Sequence, residues 1–342
     1  MKVSVVILNW NGCDMLRTFL PSVVRYSAGE GIEVCVADNG STDASVTLLQ
    51  QEFPSVRTIV LDQNYGFADG YNLALQQVDA EYVVLLNSDV EVTEHWLEPM
   101  IAYLDKHPEV AACQPKIRSQ RQKEYFEYAG AAGGFIDKYG YPFCRGRIMG
   151  VVEKDEGQYD TVIPVFWATG AALFIRRVDY VNVGGLDGRF FAHMEEIDLC
   201  WRLRSRNREI VCVPQSIVYH VGGATLKKEN PHKTFLNFRN NLVMLYKNLP
   251  QEELNKVMHI RTCLDYLAAF NFLLQGHWDN ASAVMRARKE YKRLCPSFSL
   301  SREENMRKKT LNPIPERTKS SILWQFYARG CKRFSQLSDL KG

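Results

Sequence analysis

The chain has 342 residues, 46% hydrophobic and 24% charged; this ordinary globular usage excludes collagen-like, low-complexity and wholly disordered chains. Its length suggests two domains, or one large domain with an appendage, and a sizeable core. The net charge of +3 hides an asymmetry: residues 1–225 carry 20 Lys and Arg against 29 Asp and Glu, and residues 226–342 carry 22 against 10, so an acidic front precedes a basic tail suited to an acidic partner.

The first third alternates strand and helix patterns. VSVVIL at Val3 is a short continuous apolar run of the kind a strand covered on both faces needs. Leu16, Phe19, Leu20, Val23 and Val24 then repeat at helical spacing. The strand IEVCVAD and the helix STDASVTLLQQEF follow, with Ser41 or Thr42 as the expected N-cap. RTIVL, the helix FADGYNLALQQV, the strand EYVVLL, a helix from about Glu94 to Asp105, and VAACQP complete the series. The expected fold class is α/β, with a mostly parallel central sheet flanked by helices.

From Ile117 to Thr161 the period is lost among glycines, which predicts loops with small strands. Order returns at VIPVFWATGAALFIRR, then a helix from near Glu195, then REIVCVP and SIVYHVGG. After Pro231 the pattern is helical and basic, and Asn312–Pro315 reads as a linker into a last short helix. Nine scattered cysteines without a C-x-x-C pair argue against disulfide or thiolate-metal frameworks and favour a reducing compartment. The run after Met1 is too short for a signal sequence. Thr262–Leu274 falls short of the roughly 20 apolar residues of a spanning helix.

Ligands of open parallel sheets bind at the carboxyl ends of the strands. Asp38 closes the second strand, and Asp89 lies in the Asn87–Ser88–Asp89 turn after the fourth. Turn formation alone explains either acid singly; two acids in one sheet, each beside a polar cluster, point to binding. Neither G-x-G-x-x-G nor G-x-x-x-x-G-K-[ST] is present, so a phosphate must be held another way, and a metal on a carboxylate is the direct route. Glu195, Glu196 and Asp198 open the helix in FFAHMEEIDLCWRL. The helix dipole favours acids there, but not three acids among Phe190, Phe191, Met194, Ile197 and Leu199, where charge is costly unless used. His220 ends an apolar run, either as a structural residue or as a neutral ligand beside a carboxylate.

Together VSVVILNWNG, VCVADNGSTDAS, NYGFADGYNLAL, LLNSDV, ATGAALFIRR, GGLDGRFFAHMEEIDLCWRL and VYHVGG resemble glycosyltransferase family 2, in its rhamnosyltransferase-like bacterial branch. The match covers about residues 1–245, in order and at family spacing. It implies a GT-A catalytic domain over 1–245 and a basic helical extension over 246–342. It also implies a transferase that moves one sugar, rhamnose among the options, from a nucleotide-diphosphate sugar to a hydroxyl of a glycan or lipid-linked acceptor, with inversion, in bacterial surface polysaccharide synthesis. The weakened acid motif and the Glu in place of Asp keep a second reading open, a non-catalytic sugar-nucleotide-binding or scaffolding subunit.

By the same resemblance, Asp38 meets the nucleobase with Trp10 beside it, and Gly66 and Asn72 shape the nucleotide pocket. Asp89 is the last acid of a D-x-D motif that here reads Asn-Ser-Asp, and it holds Mn²⁺ or Mg²⁺ on the donor diphosphate with His220 completing the metal site. Glu196 is the base, where the family usually has Glu-Asp, with Asp198 in reserve. Thr169, Gly170 and Glu195 belong to the donor and acceptor pocket. The dipole of the Glu195 helix should keep Glu196 ionised. Processive synthases carry Q-x-x-R-W and membrane spans; this chain has neither, which favours one sugar per encounter.

In the tail, Val257, Ile260, Leu264, Leu267, Phe270 and Leu274 fall on one stripe, followed by Arg286, Arg288, Lys289, Lys292 and Arg293. Such a stripe either packs on the catalytic domain or lies on a membrane surface. The expected location is cytoplasmic, in peripheral contact with the inner membrane's cytoplasmic face, and nucleic acid is not expected as a partner.

Overall fold

The computed structural model describes residues 1–222 and 230–337; Gly223, the last residue of VYHVGG, lies outside them. The apolar runs form strands Val3–Asn9 (β1), Ile32–Asn39 (β2), Arg57–Leu61 (β3) and Tyr82–Asn87 (β4), a parallel block with β1 between β2 and β4 and β3 outermost. Helices Cys13–Tyr26 (α1), Ser45–Glu52 (α2) and Gly66–Gln76 (α3) make the crossovers.

Helix α2 starts later than expected, at Ser45 with Ala44 as its N-cap residue. Ser41 and Thr42 are unavailable as caps. The Ser41 hydroxyl accepts from the Asn11 backbone at 2.9 Å, and the Thr42 N–H donates to Asn11 Oδ1 at 2.7 Å. They tie the first loop to the second instead. Helix α4, after the short strand Val90–Val92 (β5), begins at Glu98 rather than Glu94 and runs to Lys106.

Val110–Ser119 (β6) ends at the carboxyl edge of the sheet, and no crossover helix follows it. Instead Gly134–Ile136 (β7), Pro142–Cys144 (β8), Arg147–Ile148 (β9) and Val151–Val152 (β10) build a separate small antiparallel sheet, as the glycine-rich stretch predicts. Lacking a crossover, the chain returns through Ile163–Pro164 (β11) and inserts Ala172–Arg176 (β12) antiparallel between β4 and β6. After Arg177–Asn182 (α5) and Glu195–Ser205 (α6), Glu209–His220 (β13) lies parallel to β6. The sheet order is β11-β13-β6-β12-β4-β1-β2-β3, with β5 antiparallel on β13.

One face of the sheet packs Leu16, Leu20, Leu48, Trp96, Met100 and Leu104 of the α1, α2 and α4 side. The other packs Tyr71, Phe166, Leu199, Trp201 and Leu245. Helices Pro231–Asn248 (α7), Gln251–Leu274 (α8), Trp278–Leu294 (α9), Ser299–Lys308 (α10) and Ile322–Tyr327 (α11) follow. The extension shares the second core: Phe334 packs on Phe135, Phe143 and Tyr159, and Arg204 forks onto Glu316 at 2.7–2.9 Å. Burying this much apolar surface against residues 1–245 holds the two parts together. All nine cysteines are free, with Cys35, Cys113 and Cys212 buried in strands as small hydrophobes. Among the described residues no helix is long and apolar enough to cross a membrane.

Candidate active site

Strand register assembles the first part of the site. Asn9 pairs with Asp38 and Leu8 with Asn87, so three polar residues end three adjacent parallel strands. Asp38 is fully buried. It accepts from Asn9 Nδ2 at 3.1 Å and from the Ser41 backbone at 2.9 Å, which fixes its carboxylate at the carboxyl ends of β1 and β2. Trp10 beside it is 50% exposed, an indole face left open at the mouth. Asn39 donates to the Gly66 carbonyl at 3.0 Å and fastens the third loop to the second.

Gly66 sits at φ +75°, where a Cβ would come within 2.6 Å of the Phe191 ring. Only glycine lets the start of α3 nest against the loop leading to α6, and the Phe67 N–H donates to the Phe191 carbonyl at 2.9 Å there. Asn72 uses its whole amide within the protein. Its Nδ2 donates to the Leu186 carbonyl at 2.8 Å, and its Oδ1 accepts from Tyr180 at 2.6 Å and from the Leu186 backbone at 3.1 Å. It shapes the wall rather than offering a free group.

Asp89 and His220 meet because β5 pairs with the end of β13: Val90 lies opposite His220, and the Val221 N–H donates to the Asp89 carbonyl at 3.1 Å. His220 Nε2 is 3.1 Å from Asp89 Oδ1 and 3.4 Å from Asn87 Nδ2. Its Nδ1 is 3.5 Å from Glu127 Oε2, with no hydrogen bond made. Burial opposes charge on both partners. It is outweighed: Asp89 and Glu127 hold the imidazole up to about 10, and His220 with the Asp89 and Gly222 backbone holds Asp89 below its ordinary value. Glu127 had no signal in the sequence, lying in an irregular stretch.

Among the described residues no three His, Cys, Asp or Glu side chains surround a common point for a metal. Asp89 and His220 alone offer one oxygen and one nitrogen to the same spot. The carboxylate suits Mn²⁺ or Mg²⁺, and Glu127 stands behind the imidazole as an orienting group. Asp89 and His220 would hold a divalent cation, with its other ligands from substrate and water, only once the imidazole gives up the Nε2 proton that now faces Asp89.

Helix α6 presents the acids. Asp198 does not face substrate: its Oδ2 accepts from Lys247 at 2.8 Å and Arg202 at 3.0 Å, and its Oδ1 from Asn248 at 2.8 Å, all buried. A carboxylate committed to two cations is no reserve base. Glu195 and Glu196 differ: Oε2 of each is buried without a partner. Burial raises both carboxyls, Glu195 further through the charge of Glu196. The N–H groups of Met194, Glu196 and Ile197 do pull Glu196 down, as a helix start should, but desolvation wins, opposite to the expected direction.

Gly170 joins the two halves. A Cβ there would lie 3.1 Å from Phe67 and 3.8 Å from Glu196 Cβ, and the adjacent Ala171 carbonyl accepts from the Asn87 backbone at 3.0 Å. The 169–171 turn thus touches both the start of α6 and the end of β4. Thr169 is buried. Its hydroxyl accepts from the Ala171 backbone at 3.2 Å and its own N–H donates to Gln114, so it shapes this turn.

Phe191, His193 and Met194 all have φ between +65° and +75°, a strained approach to α6. Asn240 of α7 holds it, donating to the carbonyls of Phe190 at 3.0 Å, Ala192 at 2.8 Å and His193 at 2.8 Å. No sequence pattern marks it, since α7 also buries Thr234, Asn241, Lys247 and Asn248. Asn240→Leu should lower kcat by about 10²-fold, the scale of an ångström-sized misplacement. The KM for donor should change little, which steady-state kinetics checks.

This architecture, with an acid on β2, an acid after β4, an antiparallel β12 and acids opening α6, has the GT-A fold. The chain belongs to glycosyltransferase family 2, whose model (Glycosyl transferase family 2) matches residues 4–173. It is 27% identical over 230 residues, 63% of this chain and 75% of the relative, to an N-acetylglucosaminyl-diphospho-decaprenol L-rhamnosyltransferase of Mycobacterium tuberculosis. Solved folds that it resembles include residues 1–349 of S. aureus TarS (TM-score 0.53, 15% identity, 90% of this chain and 89% of that one). A second is the mannosyltransferase PcManGT of Pyrobaculum calidifontis, in complex with GDP-Man and Mn²⁺ (TM-score 0.52, 13% identity, 90% and 84%).

Proposed function

We propose that the protein is an inverting, metal-dependent glycosyltransferase that moves one sugar from a nucleotide-diphosphate donor to a hydroxyl of a glycan or lipid-linked acceptor in surface polysaccharide synthesis. Rhamnose is the favoured sugar, because a relative of similar length carries that activity. The observation that carries the reading is the buried, unpartnered Oε2 of Glu196, on a side chain whose Cβ lies against Gly170.

Asp38 and Trp10 receive the nucleoside at the ends of β1 and β2. Asp89 and His220 would hold Mn²⁺ or Mg²⁺, whose chemistry is to offset charge on the departing diphosphate. Glu196 takes the acceptor hydroxyl proton on Oε2. The acceptor oxygen then bonds to sugar C1 as the C1–phosphate oxygen bond breaks, and its electron pair leaves with the diphosphate. Attack opposite the leaving group inverts C1 and requires no protein nucleophile. The raised Glu196 carboxyl is a stronger base than an exposed one, provided it is ionised at working pH. We place the enzyme at the cytoplasmic face of the inner membrane, where a lipid-linked acceptor would be met.

Release of nucleoside diphosphate from a sugar-nucleotide panel, with Mn²⁺ or Mg²⁺ and extracted lipid-linked glycans, tests the reading. Asp89→Ala should cut release on the order of 10²-fold or more, the rate equivalent of several kcal/mol of charge stabilisation. Full turnover in that variant, or none with any donor in the wild type, would overturn it.

A further inference from the structure

The stripe expected along α8 divides at its middle. Val257 is buried and Ile260 and Leu264 are half-buried, whereas Leu267, Phe270 and Leu274 are exposed. The first half packs on the earlier chain, where Arg261 donates to the Tyr139 carbonyl at 3.0 Å, and Asp265 pairs with Arg261 and with Arg288 of α9. The second half and the start of α9 project as a helical hairpin closed at Gln275–His277. On its surface Tyr266, Leu267, Phe270, Leu274, Trp278 and Met285 are each between 46% and 71% exposed. Six large apolar side chains gathered at one tip are not the scattered exposure of an ordinary surface.

We propose that this hairpin tip is a membrane-docking surface that inserts shallowly into an anionic lipid leaflet. Charge is ordered along α9. Trp278, Ser282, Met285, Lys289 and Lys292 fall at spacings of three and four residues, on one helix face. That face is apolar at the tip and cationic from Lys289 onward, about 6 Å behind Met285 at 1.5 Å rise per residue. Trp278 lies at the tip and Lys289 about 16 Å, or three turns, behind it on the same face, so an apolar end is followed along the helix by cations that can meet lipid phosphates. Asp279 is the one exposed acid at the tip among the described residues, against this rim of cations.

The charge balance selects the occupant. A second copy would bring one basic rim against another, since residues 226–342 carry 22 cations against 10 anions, and like charges at a shared interface oppose association. An anionic leaflet meets the same rim with attraction. Position agrees with the reading of the active site, on which the purpose but not the binding of this surface rests. Helix α9 packs along α7, where Arg286 of α9 and Arg239 of α7 share the Phe235 ring. Arg239 also donates to the Phe190 carbonyl at 3.0 Å, on the loop that leads to Glu196. Docking would bring the mouth of the site near the bilayer, within reach of a lipid-anchored hydroxyl.

The test is flotation of the full chain with phosphatidylglycerol–phosphatidylcholine vesicles, with donor-driven nucleoside diphosphate release measured on the same samples. The wild type should float at low salt and sink as salt rises. Phe270→Glu with Trp278→Glu, both at exposed positions, should abolish flotation while leaving nucleotide release in solution unchanged. Lys289→Gln and Lys292→Gln should each weaken binding about fivefold, one cation's share at the surface. A wild type that stays at the bottom, or a double variant that floats equally well, overturns the proposal. So does light scattering that shows a wild-type dimer reduced to monomer by the double variant, which assigns the tip to a second copy. Flotation without donor turnover leaves the surface standing and removes the enzymatic reading instead.

Discussion

Replacing Glu196 by Gln should lower turnover by roughly 10²–10⁴-fold, the share a positioned general base supplies, with donor affinity left near the wild type. The substitution keeps shape and removes only the proton acceptor at Oε2, an atom with no protein partner to lose. The pH profile carries the sign. Burial raises the Glu196 carboxyl above the ordinary value of 4.5, and the base works only when ionised. Turnover of the wild type should therefore fall toward acid through a pKa above that value, and the Gln variant should lose this limb. An unchanged profile in Glu196→Gln would assign the base to another group, with Glu195 and its own unpartnered Oε2 next in line.

Asp198→Ala should behave in the opposite way. It removes the carboxylate on which Lys247, Arg202 and Asn248 converge, and leaves buried cations short of their partner. Breaking a buried pair by deleting one side costs about 3–5 kcal/mol. Lys247 keeps Asp187 at 2.7 Å and Arg202 keeps the Val183 and Gly185 carbonyls, which places the loss at the lower end of that range. At this chain length that is a fall in Tm of about 4 °C, readable by calorimetry. Two acids separated by one residue thus have separable signatures: Glu196 is measured by turnover at constant stability, Asp198 by stability. A stable but inactive Asp198→Ala would exchange their roles.

Much of this was legible in the sequence because it follows from local pattern. Continuous apolar runs marked the doubly covered strands β1, β2 and β4, and strand-end position marked Asp38 and Asp89. What was hidden depends on contacts between distant segments. The antiparallel insertion of β12 follows from where the chain re-enters the sheet, which periodicity does not record. Ser41 and Thr42 read as helix caps because cap and loop-tying residues share the same chemistry; only Asn11 opposite them decides. Asp198 looked like Glu196 because the Lys247 that claims it lies 49 positions away. Glu127, behind His220, comes from a glycine-rich stretch without period. The tail stripe was visible, but not that its second half would project beyond the domain.

Crystals grown with Mn²⁺ and a nucleoside diphosphate, read by the anomalous signal of the metal, show whether the Asp89 corner, with Asp38 and Glu196, cradles the pyrophosphate of a sugar nucleotide. The expected peak is bonded to the Asp89 carboxylate and to diphosphate oxygens, with the nucleobase by Asp38 and Trp10. A nucleotide bound elsewhere, or a metal that ignores Asp89, would contradict it.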